Sequence, residues 1–140
     1  MFWDSSALIP LILPEARSGQ LARLAGQEGI PVVWWGSPVE CKSAIYRRHG
    51  EAPLPSSILE NALKRLNAFF QNADTVAASE EVRSRAGRLL AVHSLRAADA
   101  LQLAAALVAC EAEPMGETLV SLDQRLREAA IREGFSVIPA

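Results

Sequence analysis

Residues 95–110 read LRAADALQLAAALVAC, and between Ala97 and Cys110 the polar side chains are Asp99 and Gln102 alone. Alanine and leucine favour helix. A helix that is apolar on every face belongs in the interior of a domain, so this stretch requires layers on all sides of it. Asp99 then needs a reason. An unpaired carboxylate in such a place costs several kcal/mol or is forced to take a proton. Two reasons are open on the stretch itself. Arg96, three residues back, can pair with Asp99, while Ser94 caps a helix whose first turn favours an acid. The other reason is a cation shared with further carboxylates.

The chain of 140 residues is expected to form one domain, 1–140, with a core of its own. Half of the residues are apolar and 21% are charged, as in an ordinary soluble globular protein. The apolar run 7–14 is too short to span a bilayer and has no basic flank before it, as a signal peptide would. Cys41 and Cys110 stand alone without metal-ligand spacing, which suits buried thiols in a reducing cytoplasm. The expectation is a cytoplasmic protein with no membrane partner. The net charge of −2 by itself argues against nucleic acid. If four acids belong to a metal site, sixteen less four leaves twelve acids against fourteen basic residues, and the remaining surface is slightly positive.

Along the chain, residues 1–4 read as a buried strand ending in Asp4, followed by a helix capped by Ser5 or Ser6. Asp4 could itself be a cap. Residues 16–28 form a polar helix stopped by Gly29. Residues 31–35, PVVWW, read as a second strand with both tryptophans packed in the core. Ser37-Pro38-Val39-Glu40 has the pattern of a helix start, with Ser37 as cap and Glu40 as its reciprocal acid. That helix is expected to reach His49, with a loop over 50–55. Residues 56–71 and 79–93 carry apolar side chains at helical spacing, with a short strand at 75–77 between them. His93 falls on the apolar face as a core or boundary histidine, and His49 suits the negative end of its helix. After the central helix and a polar loop, 118–122 is a strand ending at Asp123, which could cap the helix 124–133. Gly134 ends that helix, and 135–138 is a last strand.

Strands alternating with helices predict an α/β fold: a three-layer α/β/α domain around a mostly parallel sheet. In such sheets the functional crevice lies outside the carboxyl ends of the strands. Asp4 and Asp123 follow strands, Glu40 opens a helix just after one, and Asp99 lies near the start of the buried helix. Converging there, four acids repel one another unless a cation joins them. Hard oxygen ligands suit Mg²⁺ or Mn²⁺, and no cysteine–histidine pair is placed to compete.

The segments FWDSSALIPLILPE, SPVECKSAIYRR, LRAADALQLAAAL and TLVSLDQRLREAAIREGFSVIP resemble the PIN domains, and within them the VapC-type toxins of type II toxin–antitoxin systems. In that family Asp4, Glu40, Asp99 and Asp123 match the four acids. Ser121 matches the hydroxyl residue two before the last acid, and Ser6 stands near a polar position after the first. The resemblance implies Mg²⁺- or Mn²⁺-dependent cleavage of single-stranded or looped RNA, a small antitoxin protein as inhibitor, and a homodimer. The middle of the chain, 50–94, carries no motif of the family. Arg47, Arg48, Arg85, Arg88 and Arg96 are candidates for the RNA backbone, each with a solvated face as the plainer role. Two other functions stay open. One is an aspartyl-nucleophile phosphotransferase or dehalogenase, which usually has a second acid where Ser6 stands. The other is a non-catalytic binding module whose acids only cap helices.

Overall fold

The computed structural model describes residues 1–27 and 29–140; Glu28, the expected end of the second helix, lies outside the described residues. Among the described residues five short strands, β1 (Phe2–Trp3), β2 (Val32–Trp34), β3 (Asp74–Val76), β4 (Thr118–Val120) and β5 (Ser136–Ile138), form one sheet in the order β3-β2-β1-β4-β5. Every pairing is parallel, with Phe2 opposite both Val32 and Leu119. Seven helices are found among the described residues: α1 (Ser5–Ile12), α2 (Ser18–Ala25), α3 (Ser37–Glu51), α4 (Ser56–Gln71), α5 (Glu80–Val92), α6 (Ala97–Ala109) and α7 (Gln124–Glu133).

Neighbouring residues on a strand face opposite sides of the sheet, and the core divides accordingly. Phe2, Trp34 and Leu119 pack with α5, α6 and α7. Trp3, Val33 and Val120 pack with α1, α2, α3 and α4. The result is the expected α/β/α sandwich. The apolar α6 is covered as its composition demands, with Ala100 and the whole run from Leu103 to Leu107 buried. No helix among the described residues is long and apolar enough to cross a membrane.

Several boundaries differ from expectation for local reasons. Asp4, not Ser5 or Ser6, caps α1. The second helix ends at Gly26, and Gly29, at φ +111°, belongs to the loop beyond. The cap of α3 is Gly36, with no side-chain bond, so the expected Ser37–Glu40 capping box is not formed. Gly36 is required there, because a Cβ would lie 2.5 Å from Trp34 Nε1. That helix runs past His49, whose Nδ1 accepts from the Leu54 backbone N–H at 2.9 Å and closes its end. Ser94 does not cap α6; Arg96 holds the cap position without a side-chain bond. Trp34 is buried as expected, but Trp35 is 63% exposed, contrary to the core role expected for both. His93 is buried against Glu133, with Nε2 2.8 Å from its carboxylate.

Candidate functional site

The order of the strands fixes where a site can be. From β1 the chain winds outward through β2 and β3, then returns to β4 on the other side and continues to β5. The winding reverses between β1 and β4, and a crevice opens at the carboxyl ends of these neighbours. Asp4 follows β1, while Ser121 and Asp123 follow β4.

Asp4 is only 4% exposed. Its Oδ2 accepts three hydrogen bonds: from the Ser6 backbone N–H at 3.2 Å, from the Ser6 hydroxyl, and from the Ser121 hydroxyl at 2.9 Å. Ser6 in turn accepts from Leu122 N–H at 2.8 Å, and Ser121 from Asp123 N–H at 3.1 Å. The two hydroxyls therefore join the turn after β1 to the turn after β4. Asp123 uses Oδ1 to cap α7 through the Leu126 N–H at 2.9 Å. Glu40 receives the Gln102 amide on Oε1 at 3.2 Å. In each of these three carboxylates one oxygen is held by protein donors and the other has no hydrogen-bond partner among the described residues.

The acids act on one another electrically. Burial raises the pKa of Asp4 and the charge on Asp99 raises it further, against the lowering by Ser6 and Ser121. Burial pushes Glu40 up to about 7, with Asp4 and Asp99 adding to it and Gln102 and Ser5 opposing. Asp99 is raised by burial and by Asp123, while the Arg96 backbone, its guanidinium and Arg125 favour the charged form. Burial is the larger cause for each, and the repulsion expected of converging carboxylates adds to it.

The four do not surround a single pocket. Glu40 and Ser6 line a cleft of about 720 Å³ bordered by Arg47 and Arg48. Asp99 and Asp123 line a second, of about 460 Å³, with Arg96 and Arg125. Among the described residues no three carboxylate, imidazole or thiol groups stand close enough, as the side chains lie, to enclose one ion. The donor set still fits Mg²⁺ or Mn²⁺. It consists of hard oxygens, three of them anchored with one oxygen free, and Mg²⁺ ordinarily binds one or two carboxylates while keeping several waters. The capping roles of Asp4 and Asp123 are real and occupy only one oxygen of each.

Gln102, Ser5 and Ser37 were not among the expected site residues. Gln102 Nε2 lies 2.8 Å from Ser5 Oγ and 3.0 Å from Ser37 Oγ as well as near Glu40. The signal was present in the sequence, since Gln102 is the second polar side chain of the apolar helix. Of the arginines, Arg48 pairs with Glu15, Arg85 with Glu81 and Arg88 with Glu133. Arg47 and Arg96 have no ion pair among the described residues, nor does Arg125, which was not foreseen. No protein-family model matches the chain, and no curated protein matches it.

Proposed function

We propose that the chain is a Mg²⁺- or Mn²⁺-dependent endoribonuclease of the PIN type, hydrolysing RNA phosphodiester bonds as the toxin of a toxin–antitoxin pair. The observation that carries this reading is the placement of four acids, Asp4, Glu40, Asp99 and Asp123, toward the carboxyl edge of the sheet where the winding reverses. Asp4, Glu40 and Asp123 are each held there by protein donors on one oxygen, and like charges are left to repel one another. A cation relieves that repulsion, and a bound metal supplies an acidified water and charge to offset the transition state of phosphodiester hydrolysis. The chain's own part is to hold the ligands. Ser6 and Ser121 fix Asp4, the α7 cap fixes Asp123, Gln102 fixes Glu40, and α6 presents Asp99. Arg47 on one side, and Arg96 with Arg125 on the other, border the two clefts and are free to meet phosphates of a strand laid across both.

The test is incubation of the purified protein with single-stranded RNA and Mn²⁺. Cleavage should require the metal and should be absent in Asp4→Asn. A protein that leaves RNA intact under these conditions, while folded, is not this enzyme. The caps made by Asp4 and Asp123 favour a second reading, a binding module without chemistry, and the same assay separates the two. The resemblance also supports a cytoplasmic homodimer restrained by a small antitoxin. Ile58 on α4 and, in the opposite layer, Leu90 and Val92 on α5 are exposed apolar side chains available for association. Sedimentation velocity at micromolar concentration should give a dimer, and a monomer there removes that part of the proposal.

A further inference from the structure

We propose that Gln102 is a positioning residue that aims the Glu40 carboxylate, and that Ser5 and Ser37 aim Gln102 in turn. This rests on reading the acid cluster as a metal site.

Gln102 is fully buried on a helix made, apart from Asp99, of alanine, leucine and valine. A primary amide in such a place costs free energy unless its polar atoms are paired, and leucine would fill the space without that cost. Nε2 is the paired end, facing three oxygens: Ser5 Oγ, Ser37 Oγ and Glu40 Oε1 at 2.8, 3.0 and 3.2 Å. Oε1 is buried with no partner among the described residues. An amide kept for core cohesion would satisfy both ends; this one satisfies its donors alone. An ionised carboxylate accepts and cannot donate, so the nitrogen faces Glu40 in its charged form, where an amide oxygen would repel it. The two serine hydroxyls can turn, so they share what Glu40 does not take.

The placement is also particular. The α6 helix lies in one layer, and Ser5 of α1 and Glu40 of α3 lie in the other. The Gln102 bonds pass between the layers at the carboxyl edge of the sheet. Asp99 and Gln102 are three apart, on one face of α6. One rigid helix thus presents one acid of the cluster and orients another. Ser37, the first residue inside α3, turns its hydroxyl to Gln102.

The experiment is Mn²⁺ titration, by calorimetry, of the metal-free protein as wild type, Gln102→Met, Glu40→Gln and the double variant. Methionine keeps the length and removes the donor. Gln102→Met should weaken Mn²⁺ binding about tenfold, in the range found for residues that orient metal ligands. In the Glu40→Gln background it should cause no further loss, because there is no carboxylate left to aim. RNA cleavage by Gln102→Met should recover at saturating Mn²⁺. An equal loss in both backgrounds, or none in a wild type that binds Mn²⁺, overturns the role of Gln102 and leaves the metal site standing. A wild type that binds no Mn²⁺ overturns both. If Gln102→Met does not fold, Ser37→Ala decides by the same comparison: a loss that vanishes with Glu40→Gln supports the chain of bonds, and an additive or absent one overturns it.

Discussion

A carboxylate that serves both the fold and a metal must divide its oxygens between them. Asp4 gathers three donors on Oδ2 and Asp123 caps α7 through Oδ1, which leaves the second oxygen of each without a partner among the described residues. At this scale the cap and the ligand are compatible roles, which is why the sequence alone could not choose between them. Asp99 is different, because it sits at the start of the buried helix and is opposed by Asp123. Asp99→Asn should therefore leave the metal-free protein as stable as wild type or more so, while weakening Mn²⁺ binding and abolishing cleavage. Thermal melting with and without Mn²⁺ checks this. A strong loss of stability in the metal-free variant would make Asp99 a structural partner of Arg96. The pH dependence follows from Asp4, Asp99 and Glu40. Asp4 and Asp99 are raised, and Glu40 reaches about 7. A raised carboxyl pKa means that the folded state holds protons more tightly than the unfolded chain. That contribution is complete below the ordinary carboxylate range and is lost as the pH rises through the folded value. The melting temperature of the metal-free protein should fall between about pH 5 and pH 8. Saturating Mn²⁺, which binds the charged forms, should flatten or reverse the slope.

Among the elements, the long periodic helices were legible because burial of an apolar stripe decides them. The expected helix over 56–71 is α4 to the residue, and Gly134 ends α7 at φ +112° as its position suggested. Errors gathered where tertiary contacts outbid local signals. The Ser37-to-Glu40 pattern is a sound capping box on paper, yet Gln102, 62 residues on from Glu40, claims both side chains. No local rule contains that competition. Gly29 looked like a stop, but the chain turned earlier at Gly26. Gly36 carries the sharpest element-level prediction. Its α3 start brings the backbone against the Trp34 indole, so Gly36→Ala forces one of them to move. Destabilisation of about 1–3 kcal/mol, the usual range for overpacking, is expected in denaturant unfolding. Mn²⁺ affinity should fall with it, since Glu40 stands four residues further along. Ser79→Ala is the control at a distance: it removes the α5 cap bond to Val82 N–H and should cost about 1 kcal/mol with metal binding unchanged.

For the whole molecule, the alternation of strands and helices foretold the parallel sheet, and the sheet foretold the edge on which the acids lie. Alternation does not foretell which strands are neighbours, and that neighbourhood decides the site: β1 beside β4 is what lets Ser121 reach Asp4 across 117 residues of chain. Nor does the net charge of −2 describe the surface a substrate would meet. The acids lie at the edge, and Arg47, Arg96 and Arg125 border the two clefts beside them. If a single strand of RNA crosses both clefts, each arginine neutralises one phosphate and releases counterions on binding. The logarithm of affinity then falls with the logarithm of salt by about 0.7 per contacted phosphate. Binding of a single-stranded oligonucleotide to Asp4→Asn, which should not cut it, gives that slope directly. Arg47→Ala and Arg96→Ala should each make the slope shallower by about 0.7. The double variant should lose about twice as much, because the two sit in different clefts and act independently. Arg88→Ala, whose guanidinium is held by Glu133, should leave the slope where it was. A slope indifferent to Arg47 and Arg96 alike would mean that the strand takes another path over the molecule.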